Sequence, residues 1–323
     1  MHSISSHLLK PVPMRGMIRL SGIRFILPYY HLVSGETPAH VKYLFPVRTP
    51  DSLNKDLDFL AQQFHPVTLD ELINIVHNGE KRRKPVYHLL FYNGLCEFHD
   101  IIAPVLHKKG IPATCFLNDK CIDNQSLYYR FKSSLLIDRL RSKKPGSEEW
   151  CLFHQWELAN DLNGKYYRKV LLDITLDREY LLDELAQVIH VDFGEYLKRE
   201  QPFLTTQQIK SLISQGFSFG TIFTGNVHND KSNCGESFAS SVENIQSHFN
   251  LSHSVLAADS NLGTGVKELT DYLRTNEKYD LCFGNTSIPK ENIKNYLTCF
   301  SAEISGKPMK QIIKAHCLRH LLM

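Results

Sequence analysis

The segment from Val86 to Leu117 reads as strand, helix, strand, and few folds accommodate that order. Val86 to Phe91 is short and apolar apart from His88, which is how a parallel strand covered on both faces reads. Ile101, Ile102, Val105 and Leu106 recur at helical spacing, and Gly110 is placed to end that helix. Ala113 to Leu117 is apolar again. A strand–helix–strand unit crosses over right-handed in almost every case. Further units of this kind build a parallel sheet, either closed into a barrel or left open.

The same alternation recurs on both sides. Phe25 to Val33 reads as a first buried strand, and Leu53, Leu57, Leu60 and Phe64 mark an amphipathic helix. Thr68 and Glu71 form a capping box, and the helix they open, carrying Leu72, Ile73, Ile75 and Val76, stops at Gly79. From about 120 to 204 the alternation gives way to a helical pattern centred on Leu135-Leu136-Ile137 and Leu181-Leu182. Thr205 and Gln208 form a second capping box, with Gly216 as the stop. Strands then follow at Phe217–Ile222, Ser254–Ala257 and Tyr279–Phe283, separated by helices around Val242 and Ile245 and around Val266, Leu269 and Leu273. A helix with Ile312, Ile313 and Leu318 ends the chain. The expected fold class is α/β, a (β/α) barrel of seven or eight strands, incomplete or distorted. One domain spans 1–323, with a helical insertion at about 120–204 that packs over the barrel. A doubly wound open sheet is the alternative.

Composition excludes several classes. Hydrophobic residues make up 42% and charged residues 22%, as in soluble globular proteins. The net charge of +3, from 37 basic and 34 acidic residues, does not suggest a dedicated nucleic-acid partner. The cluster Lys81-Arg82-Arg83-Lys84 reads as a solvated loop or as a contact for an anion or acidic sugar. None of the eight cysteines has Cys-x-x-Cys spacing, and several sit in apolar runs as buried thiols do, which favours a reducing compartment. No run reaches the ~20 apolar residues of a membrane span. Arg15, Arg19 and Arg24 interrupt any leader-like core, so the cytoplasm is expected.

Several segments carry a family resemblance. They are Tyr30-His31-Leu32-Val33, then Leu57-Asp58-Phe59-Leu60 with Pro66-Val67-Thr68-Leu69, then Ala103-Pro104-Val105-Leu106 with Gly110-Ile111-Pro112-Ala113-Thr114-Cys115-Phe116. Leu204-Thr205 through Gly216-Phe217 to Gly220 completes the set. In order and spacing the chain resembles the polysaccharide deacetylases, carbohydrate esterase family four, over most of residues 28–226. That resemblance implies a barrel, a glycan substrate and a divalent metal such as zinc. One Asp and two His hold the metal, which polarises the acetyl carbonyl and its water, and a second Asp takes the proton.

The residues at those positions differ. The family's Thr-Phe-Asp-Asp-Gly aligns with Leu90-Phe91-Tyr92-Asn93-Gly94, placing Tyr92 at the base position and Asn93 at the metal-binding Asp. Its Gly-x-His-x-x-x-His aligns with Gly220 to Asn226, placing Ile222 and Asn226 at the histidines. Isoleucine cannot bind a metal, and an asparagine carbonyl is a weak ligand for zinc-like ions. Tyrosine, with an unperturbed pKa near ~10, is a poor base at neutral pH. The expectation is therefore a degenerate member with no intact catalytic or metal residue and no cofactor. Its partner would be a carbohydrate or another protein, with no nucleic acid and no membrane span. An active hydrolase with a rebuilt site is the alternative.

Other residues bear on that choice. His31 reads as facing the barrel mouth or as a satisfied rim histidine, and a register shift could bring His228 to a metal. Tyr29, Tyr30, Tyr92 and Phe223 read as lining a sugar cleft, or else Tyr92 and Phe223 fill the void left by the lost site. His88 reads as a hydrogen-bonded core histidine, and Asp100, after His99, as a helix-start acid. His316 and His320 share a helix face with no third ligand beside them.

Overall fold

The computed structural model describes residues 13–162, 164, 166–223, 234–258, 265–275, 278–284, 293, 295–303 and 306–322. In chain order the first half runs α1 (Met14–Leu20), β1 (Phe25–Ile26), β2 (Pro28–Tyr30), α2 (Pro50–Gln63), β3 (His65–Pro66), α3 (Leu69–His77), β4 (Val86–Tyr87), β5 (Leu89–Phe91), α4 (Ala103–Lys109) and β6 (Ala113–Leu117). Helices α5 (Tyr129–Arg141), α6 (Glu148–Ala159), α7 (Tyr167–Asp173), α8 (Tyr180–Val188) and α9 (Phe193–Glu200) follow. The alternation resumes with α10 (Thr206–Ser214), β7 (Ser218–Phe223), α11 (Cys234–Phe249), β8 (Val255–Ala258), α12 (Gly265–Thr275) and β9 (Leu281–Gly284). Strands β10 (Tyr296–Thr298) and β11 (Phe300–Ser301) and helix α13 (Met309–Leu322) complete it.

All strand pairs are parallel, in the order β10-β9-β8-β7-β6-β5-β2-β11. The two ends of that order, β10 and β11, are separated in sequence only by Cys299. Tyr296 pairs with Cys282 on β9, and Phe300 pairs with Pro28 on β2. One short run thus bridges both edges and closes a (β/α) barrel. The amides of Cys299, Phe300 and Ala302 donate to Gly284, Leu27 and Tyr29 at 2.8, 3.1 and 2.8 Å. Closure removes the exposed strand edges that an open sheet would leave.

The first strands are interrupted. β4 pairs with β1 and β3, whereas β5 pairs with β2 and β6. His88 sits at the break. Its Nδ1 lies 2.8 Å from the Val67 carbonyl and its Nε2 2.8 Å from Thr114 Oγ1, so it joins the segment after β3 to β6. Both ring nitrogens are satisfied, as a buried imidazole requires.

The capping boxes form as the sequence requires. Thr68 Oγ1 accepts from the Glu71 amide at 3.2 Å, and Glu71 accepts from the Thr68 amide at 3.0 Å. Thr205 and Gln208 repeat the exchange at 3.2 and 2.9 Å. Each cap is worth about 1 kcal/mol.

Helices α5 to α9 build their own core around Phe131, Leu136, Phe153, Trp156, Leu181 and Leu185. Leu32, Val41, Leu95 and Phe203 extend that core to the barrel. The segment rejoins the barrel at a backbone seam, where the Leu204 amide donates to Gly94 O and the Cys96 amide to Pro202 O, each at 2.9 Å.

A buried polar cluster ties the last segment to the first strand. Arg48 donates to the Ala302 carbonyl at 3.1 and 2.7 Å and to the Lys307 carbonyl, and it lies 3.3 Å from Asp56. Asp56 also accepts from Tyr30 Oη at 3.3 Å and from the Met309 amide at 3.1 Å. Among the described residues no helix is long and apolar enough to cross a membrane.

Candidate functional site

Every barrel strand runs the same way, so the residues just past β2, β5 and β11 gather at one mouth. Active sites of (β/α) barrels occupy that end. The chain brings His31, Tyr92, Asn93 and Glu303 there from three strands.

Tyr92 points into the barrel. Its ring stacks on Tyr29 at 4.6 Å and 4° and meets Phe116 edge-on at 5.6 Å. Its hydroxyl lies 3.3 Å from Cys299 Sγ. Burial first, then the neighbouring Cys299, pushes the phenol well above its ordinary pKa. Burial likewise pushes the Cys299 thiol up to about 12. Ring stacking and the Cys299 contact hold the phenol in place.

Ile222 belongs to the same interior cluster as Tyr92, Tyr29, Phe116 and Phe283. The structure therefore places Tyr92 and Ile222 in one buried apolar core. Asn226 and His228 lie outside the described residues.

Asn93 is buried and holds φ 74, with Gly94 at φ 57. Asparagine is among the few residues that visit this left-handed region readily. At Gly94 the turn passes so close to β6 that an added Cβ would lie 2.8 Å from Leu117 Cδ2. Asn93 and His31 both line a pocket of about 460 Å³. Tyr43 and Phe45 form one wall, and Tyr128, Arg130 and Asp173 from the helical segment form the other.

His31 is held from behind. Glu303, almost wholly buried, places Oε2 2.6 Å from His31 Nδ1, while its Oε1 accepts from the His31 and Leu32 amides at 2.8 and 3.0 Å. The carboxylate fixes the proton on Nδ1 and leaves Nε2 as the other ring nitrogen of a pocket-lining side chain. Phe45 stacks on the imidazole at 4.2 Å, and Tyr29 meets it edge-on at 5.3 Å. Sequence reasoning missed Glu303. The available signal was an acid directly after a short apolar run near the chain's end, where a closing strand would deliver it to the mouth.

Two expected cleft residues lie elsewhere. Tyr30 follows Tyr29 on β2, so it turns to the opposite face. There it stacks on Phe91 at 5.4 Å and bonds to Asp56, under the outer helices. Phe223, next to Ile222 on β7, also turns outward and packs edge-on against Phe238 of α11 at 4.7 Å. His99 pairs with Asp100 at 2.6 Å and is not part of the pocket.

A zinc-like ion held by one Asp and two His needs an anionic oxygen and imidazole nitrogens on converging vectors. At the aligned positions the described residues offer a buried phenol, a neutral amide and an aliphatic side chain. His31 adds a single imidazole nitrogen whose partner carboxylate is already engaged. Among the described residues that donor set does not fit a zinc-like ion. Among the described residues, no three His, Cys, Asp or Glu side chains cluster as ligands.

Solved structures of similar fold include deacetylases. The chain resembles the Streptococcus pyogenes deacetylase PplD, solved with acetate, at TM-score 0.53 and 12% identity, over 90% of this chain and 97% of that one. IcaB from Ammonifex degensii gives TM-score 0.53 and 12% identity over 92% and 97%. A de-N-acetylase from Aggregatibacter actinomycetemcomitans gives 0.52 and 11% over 90% and 99%. At such identity the likeness is one of fold, and it agrees with the barrel that the sequence motifs imply. No family model and no curated protein matches the sequence.

Proposed function

We propose that this chain is a deacetylase-like protein of glycan metabolism that holds a sugar unit in the mouth pocket and does not carry out metal-dependent deacetylation. The carrying observation is Tyr92, a buried phenol locked between Tyr29 and Phe116 where a base is required. The pocket supports the binding half. Its volume suits a small ligand, and Tyr43, Phe45 and Tyr128 offer ring faces beside polar groups at His31, Asn93, Arg130 and Asp173. Such a protein would act by binding glycan or by regulating an active relative. Calorimetry with N-acetylglucosamine oligomers tests this reading. Saturable binding without acetate release supports it, and absence of binding to any acetylated or deacetylated oligomer removes the sugar from the account.

The His31–Glu303 pair favours a second reading, a hydrolase with a rebuilt site. A carboxylate-oriented imidazole is how many enzymes hold a general base. Acetate or acyl release that disappears in His31→Ala would establish this reading and displace the first.

We further infer that the whole chain is one barrel domain with the helical segment as its insertion. Release of the segment as an independently folded fragment on limited proteolysis would count against this. The described cysteines are all free, five of them buried, which suits a reducing compartment such as the cytoplasm. Recovery of the protein from a secreted fraction would contradict that placement.

A further inference from the structure

A cavity of about 1010 Å³ lies away from the mouth. It lies where β1 and β4 begin, roughly 20 Å from His31 by strand rise, and its lining is strongly basic. Arg15 and Arg19 stand one turn apart on α1, Arg24 leads into β1, and residues 81–84 supply four more cations. Glu80 is the one acid in the lining.

Some of these cations are engaged. Arg82 pairs with Glu80 at 3.1 Å and Glu71 at 3.4 Å. Arg24 donates to the Glu80 carbonyl at 3.1 Å, and Lys84 donates to the Ala61 carbonyl at 3.0 Å. Arg15, Arg19, Lys81 and Arg83 make no ion pair among the described residues. Like charges around one cavity repel unless an anion sits among them. Ile18, Ile23, Ile75 and Val86 line the same cavity and lower the local dielectric, which strengthens any pairing there.

We propose that this cavity is a binding site for a small ligand carrying two or more phosphate groups. Guanidinium forks match phosphate oxygens in pairs, and several cations around one cavity suit a multiply charged anion better than a single carboxylate. The concave shape, with cations around a hollow, favours a discrete molecule over a flat lipid surface. The site is separate from the mouth pocket and does not depend on what that pocket binds.

Calorimetry of the full chain with inorganic pyrophosphate tests the proposal. Arg19→Glu with Arg83→Glu removes two cations that make no ion pair among the described residues, both at exposed positions, and Arg199→Glu, on α9 away from the cavity lining, is the charge control. Unchanged melting temperatures would show that all variants fold. Saturable one-to-one binding, weakened about tenfold or more per substituted guanidinium and unchanged in the control, is expected. The proposal is overturned if binding is absent, if it survives the double reversal, or if oligogalacturonate outcompetes pyrophosphate. It is also overturned if phosphatidylglycerol vesicles bind while pyrophosphate does not.

Discussion

Glu303 reaches across from the end of the closing strand and sets its carboxylate 2.6 Å from His31 Nδ1. The same carboxylate accepts two backbone amides, so one buried anion fixes both the imidazole and the turn after β2. Glu303→Ala would leave those amides and the imidazole N–H without a partner. A loss of about 3 kcal/mol is expected in denaturant unfolding, because hydrogen bonds to charge and stranded donors dominate the cost. A change within ~0.5 kcal/mol, the size of an ordinary surface substitution, would show that Glu303 is not the anchor described.

Restoring an acid at the base position should not restore chemistry. Tyr92→Asp would place a carboxylate among Tyr29, Phe116 and Ile222 and leave a void where the ring had been. A stability loss of about 3–5 kcal/mol is expected from the cavity and the buried charge together, with no gain in acetate release. An active Tyr92→Asp variant would mean that a metal site persists around position 92.

Acid should destabilise the protein through two buried imidazoles. Burial lowers His88 to about 4, against the pull of its Val67 hydrogen bond, and lowers His40 to about 4 as well. Between the unfolded value of ~6.5 and about 4, the unfolded chain binds more protons than the folded one. Stability is therefore complete above that window and falls as pH drops through it, by up to ~3 kcal/mol per histidine. Asp56 and Glu97, whose carboxyls burial raises, act in the opposite direction and offset part of the loss. Unfolding free energies at several pH values across the window check this. A slope reduced by about half in a His88→Gln variant, with the rest left to His40, would assign that share to His88. Equal slopes in the two would remove it.

The turn after β5 should resist substitution. Gly94→Ala adds a Cβ 2.8 Å from Leu117 Cδ2 at φ 57. The left-handed conformation alone costs about 1 kcal/mol, and Leu117 must also move. A destabilisation of about 1–3 kcal/mol by thermal unfolding is expected. A neutral effect would mean that the turn relaxes freely, and with it the placement of Asn93.

The periodic elements were legible in the sequence because local rules govern them. Leu53, Leu57 and Leu60 lie on one buried helix face, and both capping boxes form at the expected residues. Strand parity was harder to read. β2 and β7 are buried on both faces, so the pattern does not say whether Tyr29 or Tyr30, Ile222 or Phe223, points inward. The closing run Tyr296–Ser301 was missed because each of its halves pairs over only a few residues, with partners distant in sequence. Missing it concealed Glu303, whose role depends on barrel closure and not on any neighbour in the chain.

The most direct test is acetate release from an N-acetylglucosamine oligomer by the purified protein, loaded in turn with zinc, cobalt and nickel. The expected result is release indistinguishable from the metal-only blank while the oligomer still binds. Metal-dependent turnover abolished by a chelator, at the rate of about 1 per second or faster that ordinary enzymes reach, would contradict the account. It would mean that Tyr92 and Ile222 stand beside a working centre.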